Sequence, residues 1–326
     1  PLIKEARDKG FLEIFVPKEN AEEAALIKGV TIYPVENLKQ AINHLNTKSV
    51  DKIKLISKQK ETEIPNETPD SSIDLSHIRG QESAKRGLMI AAAGGHNICM
   101  YGPPGTGKTM LAKALCGILP QLSFEEMLEV TAIHSVAGIL SGSVVTFPPF
   151  RSPHHTSSYV SVAGGGAIPK PGEVTLAHRG ILFLDEFPEF DRRVIDALRQ
   201  PLEDKVIHVS RAKGSAVFPA NCVLVAAMNP CPCGYFGVPG KSCICTPSTL
   251  QRYERKISGP IVDRIDIWID VGAIPHEKLL EINIKESESK NVQEKIKRSR
   301  EIQKKRTEKL GNVLNGDLSA KDVINV

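Results

Sequence analysis

Apolar residues along the chain change their spacing near residue 73, and the change divides it. Over residues 11–46, Phe11, Ile14 and Val16 stand in a near-alternating run, and 21–27 has helical spacing. Residues 31–35 are strand-like, and Leu38, Ile42 and Leu45 recur at i, i+4 and i+7 within 36–45. This predicts two strands and two helices, too little to fold alone, as at the end of a domain cut at its start. Residues 47–72 are polar and charged with two prolines. They predict a linker without fixed structure. From Ile73 short continuous apolar runs alternate with helical spacing: helices over 83–93, 108–119 and 192–203, strands over 98–101, 181–184 and 223–227. That alternation predicts an α/β fold, a parallel sheet covered by helices. Residues 205–218 predict a hairpin, with Val206, Ile207 and Val209 on one arm and Val217 and Phe218 on the other. The tail from His276 predicts charged helix.

Length and composition narrow the class. A chain of 326 residues, 41% hydrophobic and 25% charged, suits about two globular domains. No apolar run reaches the roughly 18 residues of a membrane span, and the mixed, charged start gives no leader. A soluble, cytoplasmic protein is expected. The first residue is Pro1, not Met, so the chain is expected to be a piece of a longer one. Net charge is only +4, which does not by itself argue for nucleic acid. Between Asn291 and Lys309 eight Lys/Arg face three Glu, a pattern expected of a solvated helix face.

The chemistry centres on Gly102-Pro103-Pro104-Gly105-Thr106-Gly107-Lys108-Thr109, which fits G-x-x-x-x-G-K-[ST] between a predicted strand and a predicted helix. Glycines let main-chain N–H groups converge on phosphate oxygens, and the helix start adds its positive end. Lys108 reaches the β/γ-phosphates and the Thr109 hydroxyl ligates Mg²⁺. Met110 completes the expected ATP-binding segment. The apolar run 181–184 ends in Asp185 and Glu186, at the strand end where open α/β sheets place ligands. Asp185 is assigned to the Mg²⁺ shell and Glu186 to polarising the attacking water. Asn229, ending the strand over 223–228, is placed to orient that water or, more plainly, to start a turn before Pro230.

Seven cysteines are present, and without a leader disulfides are not expected. Cys99, Cys116 and Cys222 stand in apolar stretches, as buried small hydrophobes do. Cys231-Pro-Cys233 and Cys243-Ile-Cys245 lie in a Gly/Pro-rich loop and suggest a tetrathiolate Zn²⁺ site. Their C-x-C spacing is shorter than the usual C-x₂-C. Four reduced thiols, or a redox-labile pair, are the alternatives.

Several segments together resemble the magnesium-chelatase-like group of AAA+ ATPases, and more narrowly the ComM/YifB family. They are 74–81 (DLSHIRGQ), the phosphate loop, 149–158 (PFRSPHHTSS), 169–173 (PKPGE), 176–180 (LAHRG) into the acidic pair, 211–214 (RAKG), 228–234 (MNPCPCG), and Arg252-Tyr253 through Asp263-Arg264-Ile265-Asp266. The resemblance covers nearly all of 71–270. It implies an AAA+ P-loop three-layer parallel sheet with β-hairpin inserts over 73–272, preceded by a partial Lon-like α+β segment over 1–46 and the linker over 47–72. It also implies the start of a helical lid over 273–326, with no position to assign to a sensor-2 arginine, so this chain alone is expected to bind ATP and hydrolyse it poorly. Ile78 and Gly80 would lie against adenine, Asn229 would be sensor 1, and Arg264 an arginine finger offered to a neighbouring subunit.

The family is expected to form homo-hexamers that translocate on single-stranded or branched DNA and drive branch migration in natural transformation. An AAA+ protein remodeller or a magnesium-chelatase-like motor subunit is the alternative. The basic hairpin tip with Arg211 and Lys213 suits phosphate contact without base reading. The Gly/Ser/Pro-rich insert over 138–171, with Arg151, His154 and His155, is a candidate pore loop, and Arg151 a candidate DNA contact. Its histidines are equally candidates for packing or turn roles. No serine stands between Pro1 and Asn46, so a Ser–Lys peptidase dyad is not expected.

Overall fold

The computed structural model describes residues 2–46, 56–62, 73–140, 144–166, 169–211, 214–274 and 288–325. The chain forms two compact units, Pro1–Glu67 with Met127–Thr146, and Thr68–Glu126 with Phe147–Val326. In the first, β1 (Glu13–Pro17) pairs in parallel with β2 (Thr31–Val35). Val16, Ala21, Ala24, Ala25 and Ile32 form a small core between them. Helix α1 (Leu38–Leu45) starts where the Asn37 side chain accepts the Gln40 N–H at 3.0 Å, an N-cap that satisfies one orphan donor. Its Leu38, Ile42 and Leu45 fall on one face as their spacing requires, yet all three are exposed. Part of the expected linker is tied down: Gln59 N–H donates to Ile32 O at 2.8 Å and the Thr62 hydroxyl to Glu22 O at 2.6 Å.

The second unit is built on five parallel strands in the order β4 (Phe150–Arg151), β5 (Ile181–Leu184), β8 (Val223–Met228), β3 (Ile98–Tyr101), β9 (Ile267–Asp270). Successive side chains of a strand point to opposite faces, and each face has its own core. Ile98, Met100, Ile181, Phe183, Val225 and Ala227 pack with Leu88, Leu111 and Leu115 on one side. Cys99, Leu182, Leu184, Leu224 and Ala226 pack with Phe187, Val194 and Ile195 on the other. This is a three-layer α/β arrangement, a parallel sheet with helices on both faces. The helices that carry Leu88, Leu111 and Leu115 are α2 (Glu82–Gly94) and α3 (Lys108–Ile118). The hairpin insert is present as β6 (Val206–Arg211) antiparallel to β7 (Gly214–Pro219). Residues 212 and 213 of its tip, and with them the expected DNA contact Lys213, lie outside the described residues.

Four elements depart from the apolar pattern. The edge strands β4 and β9 are not visible in it. β4 is two residues long between prolines, and half of β9 faces outward. The expected helix over 192–203 is two, Arg192–Ala197 and Arg199–Asp204. Pro201 has no N–H for the carbonyl four residues back, so the helix breaks there. The charged tail helix α4 (Glu288–Arg306) is not all solvated. Val292 and Ile296 are buried in the core, Ser289 Oγ accepts Leu75 N–H at 2.8 Å, and the Arg300 guanidinium donates to Ala92 O at 2.9 and 2.6 Å. Burial there pulls the Arg300 pKa down to about 10.

Candidate nucleotide site

All strands of the sheet run the same way, so the segments after β3, β5 and β8 emerge at one end, where such sheets hold ligands. The register sets Tyr101 beside Met228 and Leu184 beside Ala226, which brings the phosphate loop, the acidic pair and Asn229 together. Gly102 must be glycine: a Cβ there would stand 2.2 Å from Val271 O. Gly105 and Gly107 take φ of +78° and +89°, the left-handed region that glycine enters without penalty. Pro103 and Pro104 have no N–H, so the main-chain donors for a phosphate are those of Gly105, Thr106, Gly107, Lys108 and Thr109. No side chain caps the start of α3.

Lys108 is nearly buried, and its ammonium donates to Gly102 O at 2.7 Å, Pro103 O at 2.8 Å and Asn229 Oδ1 at 3.1 Å. Burial lowers its pKa, and the nearby Asp185 carboxylate raises it back in part. The Thr109 hydroxyl donates to Asp185 Oδ2 at 2.9 Å, an oxygen pair of the kind that ligates Mg²⁺. Asn229 thus touches the lysine of the loop directly. Behind the loop, Gln81 Nε2 donates to Gly272 O at 2.7 Å and reaches Thr106 O at 3.5 Å. This holds the 78–81 segment beside the cradle, with Ile78 buried and Gly80 against Ile274.

Glu186 takes a positive φ of 51°, a strained backbone state for a non-glycine residue that clusters at functional sites. Its N–H is held by Asp185 Oδ1 at 2.9 Å, and its carboxylate lies 3.0 Å from His155 Nδ1. His154 lies against His155, ring centres 4.1 Å apart and planes tilted by 34°. The 149–158 motif therefore delivers an imidazole to the Glu186 carboxylate. Nothing local in the sequence announced this, because the two residues meet only when β4 lies beside β5. His155→Ala is expected to lower maximal turnover roughly tenfold or more through loss of a charge-assisted hydrogen bond. Nucleotide affinity should stay unchanged, and His155→Asn should retain part of the rate. A drop in affinity at unchanged maximal rate would contradict this role.

The profile of one family, described as magnesium chelatase, subunit ChlI, matches residues 74–279. The chain belongs to that family. Within it, the chain is of the ComM/YifB type. It is 42% identical over 311 residues to competence protein ComM of Haemophilus influenzae, covering 95% of this chain and 60% of the relative. It is 43% identical over 299 residues to YifB of Escherichia coli, covering 91% and 57%. The chain thus spans somewhat over half the length of these relatives. A cryo-EM-based complex of magnesium chelatase subunits BchI and BchD is similar at a TM-score of 0.48, with 23% identity over 70% of this chain and 72% of that one.

Other residues singled out by the ComM/YifB resemblance fall elsewhere. Arg151, offered as a DNA contact, is engaged within the fold: Nε donates to Glu173 Oε2 at 2.6 Å and Nη2 to Glu173 Oε1 at 2.8 Å, a bidentate pair. Arg264 donates to Pro260 O at 2.7 Å and pairs with Glu203. Its carbonyl accepts Asn97 Nδ2 at 2.9 Å. Asn97 precedes β3 and the cradle follows it, so a strand length of about 13–17 Å separates the arginine's anchor from its own phosphate loop. Met110 is partly exposed one residue beyond Thr109. Among the described residues no helix is long and apolar enough to cross a membrane.

The four loop cysteines converge: the sulfurs of Cys231, Cys233, Cys243 and Cys245 all lie within 4.8 Å of one another. Cys231 is 3.3 Å from Cys233 and 3.8 Å from Cys243, and Cys233 is 3.6 Å from Cys243. Zn–S bonds of about 2.3 Å in a tetrahedron set sulfurs about 3.8 Å apart. Main-chain N–H groups point at the sulfurs, Phe236 to Cys231 at 3.3 Å and Cys245 to Cys243 at 3.4 Å. Hydrogen bonds from the main chain of Tyr235 and Ile244 lower the Cys233 pKa to about 6. At Cys233 these donors favour the thiolate, the form that binds metal, whereas at Cys243 and Cys245 the main-chain donors are outweighed by desolvation and the neighbouring sulfurs, which push the thiols up, Cys245 to about 12.

Proposed function

We propose that this chain carries the ATPase core of a ring-forming AAA+ motor that acts on DNA, probed most directly by DNA-dependent turnover. The observation that supports the ATPase reading is the contact of Lys108 with Asn229 beside the Thr109–Asp185 pair. Five main-chain donors, an ammonium and a hydroxyl–carboxylate pair fit a nucleoside triphosphate with Mg²⁺. Thr109 and Asp185 would hold the metal, Ile78 and Gly80 would border adenine, and Asn229 would sense the γ-phosphate through Lys108. Glu186 would orient the attacking water, which is the main chemical task in a reaction governed by positioning and charge stabilisation. The Cys cluster would hold a structural Zn²⁺.

A homo-hexamer follows as a proposal from Arg264. Its anchor lies a strand length from its own cradle, so the phosphate it serves belongs to a neighbouring subunit. The DNA reading rests on the relative called a competence protein and on the β6–β7 hairpin, whose tip sequence carries Arg211 and Lys213. Helicase activity promoting branch migration, in the cytoplasm, is the form proposed. The alternative, a remodeller or chelatase-like motor, shares the same core. ATPase assay of the full-length protein with and without single-stranded and forked DNA, at 50 and 200 mM salt, separates them. Stimulation by DNA that falls steeply with salt is expected, since each phosphate contact releases counterions. No stimulation by any DNA would turn the assignment to the remodeller.

A further inference from the structure

The loop that carries the four cysteines has little else to hold it. Between Pro232 and Leu250 only Gly234 is buried, and Phe236 and Ile244 are exposed. Yet both ends of this loop bear on the nucleotide site. Cys231 is fully buried two residues after Asn229. Gly234, at φ +85°, lies so close to the phosphate loop that a Cβ would stand 2.6 Å from Pro104 Cδ. At the other end, Cys245 precedes Thr246, whose side chain accepts the Thr249 N–H at 3.3 Å and starts the helix Pro247–Glu254. That helix carries the buried Tyr253, whose hydroxyl donates to Asn229 O at 3.0 Å. Asn229 in turn accepts from Lys108. The loop therefore leaves Asn229, touches Pro104, passes through the four sulfurs and returns to the Asn229 carbonyl.

We propose that Zn²⁺ bound by Cys231, Cys233, Cys243 and Cys245 acts as a brace for the nucleotide site, so that ATP affinity depends on the metal. The inference rests on the Zn²⁺ reading of the cluster and adds its consequence. Without a core of its own, a loop of this length keeps one conformation only if something offsets its ordering entropy, and a metal bound by four thiolates does so. With the brace in place, Gly234 backs Pro104, and the helix start positions Tyr253 under Asn229. Without it, both supports are free to move, and the sensor side chain and the lip of the cradle lose their fixed relation to Lys108.

The test measures metal and nucleotide separately on the full-length protein, purified under reducing conditions. Elemental analysis should find close to one zinc per chain, and Co²⁺ in its place should give the visible absorption of tetrahedral cobalt thiolate. Chelation should then weaken binding of a fluorescent ATP analogue by about tenfold, an ordinary size for coupling between two sites. Added Zn²⁺ should restore it. Gly234→Ala gives a second reading that keeps all four ligands: affinity for the analogue should fall while zinc content stays the same. Only trace zinc with four free thiols, or with the cysteines in disulfides, would overturn the metal and the brace together. Stoichiometric zinc whose removal leaves nucleotide affinity unchanged would overturn the brace alone.

Discussion

Glu186→Gln is expected to leave ATP binding intact and to lower turnover by roughly 10²–10⁴-fold, the usual contribution of a positioned acid–base group. The carboxylate takes no part in the contacts made by the cradle. Lys108 is held by Gly102, Pro103 and Asn229, and Thr109 by Asp185. The amide keeps the size of the side chain and one acceptor oxygen, so the strained turn at Glu186 and its N–H bond to Asp185 survive the change. It loses the charge that pairs with His155 and that is proposed to polarise the attacking water. Single-turnover hydrolysis alongside equilibrium binding of a fluorescent ATP analogue separates the two effects. Loss of binding in proportion to loss of rate would mean that Glu186 supports the fold of the site and not the chemical step.

Arg264→Ala should reduce turnover by roughly 10³–10⁵-fold, as loss of a transition-state arginine does, and the loss should be repairable by another subunit. The guanidinium is tied to Glu203 and the Pro260 carbonyl, and the main chain of Arg264 is held by Asn97, at the opposite end of β3 from the cradle. Mixing Arg264→Ala chains with inactive Glu186→Gln chains then regenerates competent sites. At such a site, one chain contributes an intact cradle and acidic pair and its neighbour an intact arginine. Recovery of activity that rises with the mixing ratio and saturates is the expected result. No recovery at any ratio, with rings still formed, would place the role of Arg264 inside its own subunit.

What could be read from the residues and what could not differ in range along the chain. The phosphate loop was legible because its chemistry is local. Glycines at positive φ, prolines without N–H and a lysine at a helix start act within eight residues, and no distant partner changes that. The acidic pair was legible because four apolar residues followed by two acids specify a buried strand and its exposed end. The charged tail was only half legible: its polar majority obscured Val292, Ile296 and the inward-turned Arg300.

The order and register of the parallel strands lie beyond local pattern, because neighbours in this sheet are distant in sequence. β4 and β9 are short and edge-placed, so they carry little apolar signal. Their placement beside β5 and β3 is what sets His155 against Glu186 and separates Arg264 from its own phosphate loop. The cysteine pairs show the same division. Two thiol pairs in one Gly/Pro-rich loop suggested a metal despite a spacing shorter than usual, whereas the contact of Gly234 with Pro104 and the bond from Tyr253 to Asn229 exist only because the loop folds back across the end of the sheet. Residue chemistry was set by the sequence itself, since it depends on near neighbours. Which groups meet was settled in three dimensions, since burial of both sheet faces allows one register and brings together side chains that local pattern cannot pair.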